Sequence, residues 1–219
     1  MPRIGEVRIA GERTVDDWNT FRAELLTGGG ADSWQAAFND YYLDRLNRRY
    51  LQPIKILQEK GNKTGEGFSI VAIQCSLIEF LESTVQGKTY KYLPPERHLP
   101  PERRQQLGPH EYDNSEQLFW DFLGRREPFR RHFAGTLPRE FYKSVRCPLL
   151  HEARTENSWI IKAKCANGDT IVETSMPRIL YRDNFQNALL KFIEWYHQAI
   201  LSDVQVQQAF IRKFDSLCS

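Results

Sequence analysis

A mainly α-helical bundle is the fold this sequence predicts, on three observations. Apolar residues recur every three or four positions along most of the chain. Residues 68–84, FSIVAIQCSLIEFLEST, are apolar on nearly every side, as a helix buried at the centre of a bundle would be. Strand chemistry, β-branched residues around a turn dipeptide, stands out in a single segment. At 219 residues the chain suits one core rather than two ordinary domains, so one domain over residues 1–219 is expected.

The elements follow in order. Thr14 with Asp17 three residues later is a capping box, and Trp18, Phe21, Leu25 and Leu26 follow at helical spacing until Gly28, Gly29 and Gly30. Ser33 can cap a second helix carrying Trp34, Phe38, Tyr41, Tyr42, Leu46, Tyr50, Ile54 and Leu57; Pro53, with no N–H to donate, should kink or divide it. The apolar third helix is interrupted by Glu79 and Glu82. Residues 88–114 hold five prolines and little periodicity, and predict a long Pro-rich loop, mobile or facing a partner. Helical spacing resumes with Ser115 as a cap, and Pro128 and Pro138 open two short segments. Asn167-Gly168, flanked by β-branched residues, predicts a β-hairpin over 159–174. Phe185, Leu189, Phe192, Ile193, Tyr196 and Ile200 form one stripe, and Phe210 and Phe214 another, so two terminal helices should close the bundle.

Composition narrows the function classes. Charge interrupts the apolar stretches, and the N-terminal residues lack a signal-peptide pattern, so a soluble, cytoplasmic protein without membrane association is expected. Cys75, Cys147, Cys165 and Cys218 are too far apart for a CxxC pair and too few for a disulfide framework. The net charge is only +2, but arginine outnumbers lysine twenty to ten, with clusters at 97–104 and 125–131 where phosphate could bind.

Several short motifs lack the companions their chemistry needs. Gly87-Lys88-Thr89 has Glu82 where a phosphate loop requires glycine, and a helix in front of it. Glu194 and His197 make one ExxH pair where a di-iron bundle uses two. His98 and His110 have no set of neighbours that completes a zinc site. No metal and no cofactor are therefore expected.

Arg146 and His151, in FYKSVRCPLLHEAR, remain. An RNA 2′-hydroxyl needs a base titrating near neutrality, which imidazole supplies, and the scissile phosphate needs a fixed cation, which guanidinium supplies. Five residues of ideal helix leave them about 140° apart, so Pro148 is expected to break the helix between them. Lys143 and Arg154, three residues outside the pair, would add a cationic, substrate-binding rim. The competing structural assignment has His151 capping or packing a helix and Arg146 paired with Glu152 or with Glu79. As a carboxylate on an apolar helix, Glu79 needs a partner and could orient Arg146 from behind. Looser spacings also fit Arg126 with His132 and Arg104 with His110, but these straddle Pro128 or lie in the loop.

RxxxxH in a helical protein of this size resembles the signature of the HEPN superfamily, carried here by Arg146 and His151. The resemblance implies metal-independent endoribonuclease activity, with both residues meeting their symmetry mates in the cleft of a homodimer. It also implies a toxin–antitoxin or phage-defence setting with a neutralising protein partner. Cys147 and Pro148 depart from the residues usual between the two. The alternative from a different class is a non-catalytic helical module that binds a nucleotide, RNA or protein.

Overall fold

The structure is a computed structural model that describes residues 3–61, 65–94, 106–166 and 168–218. A hairpin of β1 (Arg8–Ala10) and β2 (Arg13–Thr14), turned at Gly11, leads into α1 (Val15–Leu26). At Gly11 φ is +53°, a conformation that favours glycine, and an added Cβ would lie 1.6 Å from the Asp44 carboxylate, which would have to move. The capping box forms as expected: Asp17 N–H donates to Thr14 Oγ1 at 3.3 Å, and Asp17 Oδ2 accepts from Thr14 N–H at 2.8 Å.

The second helix is a continuous rod built from α2 (Ala31–Ala36), a π-helical turn at Ala37–Leu43, α3 (Asp44–Leu46), a second π-turn at Asn47–Leu51, and α4 (Gln52–Lys60). Two expectations are corrected here. Gly30, not Ser33, occupies the cap, and the Ser33 hydroxyl donates to Glu24 at 2.5 Å. Pro53 does not divide the rod: in the π-turn before it, Gln52 N–H reaches back five residues to the Asn47 carbonyl, and the backbone passes through the proline in helical conformation.

The central helix, α5 (Glu66–Gln86), packs against α4, α6 (Glu116–Arg125), α9 (Arg182–Ser202) and α10 (Val204–Ser216). It is long and apolar enough to cross a membrane by length and composition, but 61% of its apolar window is buried within the bundle. It ends at Gly87, where φ is +62° and an added Cβ would sit 2.8 Å from the backbone of Ala209. The terminal helices bury both predicted stripes, and Trp18 on α1 donates to Asp215 on α10 at 2.9 Å, tying the first helix to the last.

Between α5 and α6, the described ends of the long loop meet as a parallel pair, β3 (Thr89–Tyr90) with β4 (Glu111–Tyr112). The expectation of a mobile or partner-facing loop falls chiefly on residues 95–105, which lie outside the described residues. After α6, a short rod of α7 (Leu137–Phe141), a π-turn at Tyr142–Arg146 and α8 (Cys147–Glu152) leads to a three-stranded sheet.

The predicted hairpin over 159–174 is corrected by that sheet. β5 (Trp159–Lys162) and β6 (Val172–Glu173) do not pair with each other; β7 (Arg178–Tyr181) lies between them, parallel to β5 and antiparallel to β6. The physical reason is burial: Ile179, Leu180 and Tyr181 are buried in succession, so β7 is apolar on both faces and takes the centre. Gly168 has the positive φ, +82°, expected of the turn dipeptide, and Asn167 lies outside the described residues.

One buried cation sets a pH dependence. Lys213 on α10 is 6% exposed, and its ammonium donates to the Lys88 carbonyl at 2.9 Å and lies over the Phe80 ring. Burial, then repulsion from Arg45, pull its pKa down to about 8 against a smaller opposing pull from Glu79. Because the folded value lies below the unfolded one, the unfolded chain holds the extra proton and stability rises as pH climbs above about 8. Lys213→Met should remove on the order of 2 kcal/mol of relative gain between pH 7 and 9.5, measured by urea unfolding of both proteins.

Candidate functional site

The candidate site lies where the 137–152 rod crosses α5. Pro148 has no N–H for the Ser144 carbonyl four residues back, and its ring would crowd that carbonyl in a regular helix. As at Pro53, a π-turn precedes the proline: Cys147 N–H reaches the Tyr142 carbonyl, and Ser144 O instead accepts Glu156 N–H at 2.8 Å. The expected break at Pro148 is thus corrected, since α8 runs through it to Glu152. The backbone leaves Arg146 and His151 on different sides of a continuous helix.

Arg146 turns inward. Its Nη2 donates to Glu79 Oε2 at 3.3 Å, and its guanidinium lies over the Tyr142 ring, 5.3 Å from the centroid. The side chains of this pair are 20% and 23% exposed, so the ion pair is partly shielded but open to solvent on one side. Burial works against the guanidinium charge, and Tyr142, Glu79 and Cys147 outweigh it, holding the pKa above the usual arginine value. Behind the pair, Tyr112 donates to Glu79 Oε1 at 3.2 Å; burial and then the Glu79 charge push its phenol pKa up. The carboxylate is therefore gripped at both oxygens, one by a phenol and one by the arginine.

His151 turns outward and is exposed, and its imidazole has no hydrogen-bond partner among the described residues. Leu150 beside it is half exposed. Within one chain the imidazole and the guanidinium share no partner. The other predicted site residues lie on the surface around them. Lys143 approaches Glu116 at 3.7 Å, and Arg154 pairs with Glu152 at 2.8 Å and Glu156 at 2.9 Å. Glu152 thus serves Arg154 rather than Arg146, and the cationic rim is matched by carboxylates in the free protein.

The looser pairs have other occupations. Arg126 forms a two-pronged ion pair with the fully buried Glu82, His132 is lowered in pKa chiefly by burial, and Arg104 lies outside the described residues. His197 of the ExxH motif stacks on Phe38 at 4.2 Å and bonds Gln35 at 2.8 Å, a packing role. Among the described residues, no three His, Cys, Asp or Glu side chains are grouped to hold a metal ion.

Sequence reasoning missed Tyr112 and Tyr142. Tyr112 lies in the Pro-rich segment, where nothing announces that its strand returns beside α5, 33 residues away in sequence. Tyr142, four residues before Arg146, could have been found as an i, i+4 neighbour of a candidate cation. No protein-family model, no curated protein and no solved structure matches the chain.

Proposed function

We propose that the protein is a metal-independent endoribonuclease of HEPN type, cytoplasmic and active as a homodimer. The observation that carries this reading is the anchoring of Arg146. One edge of its guanidinium is fixed by Glu79 and its face by Tyr142, while it stays partly exposed on the same helix as an unengaged imidazole. A fixed, permanently charged fork is suited to a phosphodiester. In one chain the helix holds the two groups apart, so a second copy must supply the facing set. The exposed Leu150, four residues from Arg146 and next to His151, gives that contact an apolar element.

In this mechanism, His151 removes the proton from a 2′-hydroxyl and the 2′-oxygen bonds to phosphorus. The bond from phosphorus to the 5′-oxygen breaks, and His151 of the second copy protonates the leaving oxygen. Arg146 holds the phosphate and stabilises the charge that develops on it. The products are a 2′,3′-cyclic phosphate and a 5′-hydroxyl. A growth-arresting toxin or phage-defence effector, restrained by a neutralising partner, is the setting such an activity fits.

Purified protein incubated with single-stranded RNA should yield cyclic-phosphate ends at an undiminished rate in excess EDTA. Products ending in a 3′-hydroxyl, or loss of cleavage on chelation, would overturn the assignment. A non-catalytic RNA- or protein-binding module is the second reading, favoured by the outward turn of His151 away from Arg146. It predicts binding without turnover.

A further inference from the structure

We propose that Tyr90 and Tyr92 form a stacking platform for the unpaired bases of single-stranded RNA, leading to the phosphate site at Arg146. This rests on the ribonuclease reading for the role of Arg146, whereas the platform stands on the exposure and anchoring of its own strand.

The backbone under the platform is held at several points. Lys213 bonds the Lys88 carbonyl at 2.9 Å, Thr89 N–H donates to the His110 carbonyl at 2.9 Å, and Lys91 N–H donates to the Tyr112 carbonyl at 2.8 Å. Lys91 Nζ also pairs with Glu111 at 2.9 Å. Tyr90 shares the side of its register partner Tyr112, away from the Lys91–Glu111 pair, and Tyr92 follows just beyond the strand. The two tyrosines are 54% and 67% exposed, although aromatic rings usually bury most of their surface.

From this platform, contacts run unbroken to the guanidinium. The Tyr90 ring meets Tyr112 edge-on at 5.7 Å, Tyr112 donates to Glu79 at 3.2 Å, and Glu79 holds Arg146 at 3.3 Å. Exposed rings on and just after a pinned strand, linked through these contacts to an anchored cation, match the chemistry of a single strand, whose bases offer free π-faces and whose phosphates seek guanidinium. A duplex, with its bases already stacked, lacks the first of these.

The test uses the full chain and a 2′-O-methyl RNA oligonucleotide, which cannot be cleaved, carrying one 2-aminopurine. Wild-type protein should quench the fluorophore on binding. Tyr90→Ala and Tyr92→Ala should each weaken binding about tenfold and reduce the quench, Tyr90→Trp should retain both, and the unfolding midpoint should stay unchanged. Equal affinity and quench in the Tyr90→Ala/Tyr92→Ala double variant would overturn the platform, as expected if the rings serve a protein partner instead. If that variant also cleaves RNA normally, the ribonuclease reading survives alone. Tyrosine-dependent quenching without cleavage by wild-type protein leaves the platform standing and removes the ribonuclease. Absence of single-stranded RNA binding by wild-type protein overturns the platform.

Discussion

His151→Ala is expected to lower RNA cleavage by about 10³-fold, the size of effect a positioned acid–base group supplies, while RNA affinity changes little. In a two-fold site the substitution removes both the base and the group that protonates the leaving oxygen, so no residual pathway retains either function. Arg146→Ala should instead weaken both binding and turnover, because the same fork holds the phosphate before and during the reaction. Arg146→Lys should restore little, since a point charge cannot contact Glu79 and a phosphate with a planar edge. Single-turnover rates and anisotropy on the same RNA separate these outcomes. Cleavage by His151→Ala at the wild-type rate would reject its role.

Arg126→Ala is expected to destabilise the fold by about 3–5 kcal/mol, the usual consequence of stranding one member of a buried ion pair. Glu82 has no solvent exposure, and Arg126 reaches it with Nε at 3.0 Å and Nη2 at 2.8 Å. Without the guanidinium, the carboxylate keeps Gln86, at 2.7 Å, as its donor. Burial raises the Glu82 pKa, against the opposing pull of Arg126, and removing Arg126 raises it further. The folded state of the variant then binds a proton that the unfolded state has lost, so the deficit should shrink as pH falls from 7 towards 5. Urea unfolding at both pH values checks the size and the sign. An equal deficit at both would show that Glu82 stays charged in the variant.

The parts legible in the sequence were those whose cause is local. Thr14 and Asp17 cap α1 because the two groups are three residues apart, and the stripe from Phe185 to Ile200 is buried because helical spacing places it on one side. Residues 68–84 read correctly as a buried helix for the same reason. What escaped depends on long-range partners or on how the backbone answers a local constraint. Pro53 and Pro148 announce a missing donor, but not that a π-turn would absorb it. β7 takes the sheet centre because it is buried on both faces, and its neighbours, β5 and β6, were expected to pair with each other. Glu79 was legible as a carboxylate in need of a partner; Tyr112, which completes its environment, was not.

The detached carbonyl at Ser144 has a mechanical consequence. By accepting Glu156 N–H, while its own hydroxyl takes the Asn157 amide at 2.8 Å, this residue staples the chain leaving α8 back onto the middle of the rod. A helix end restrained in this way has less freedom to unravel, so the imidazole in its last turn rides on an immobilised support. Proline at 148, an obstacle in most helices, thereby frees the acceptor on which that restraint depends.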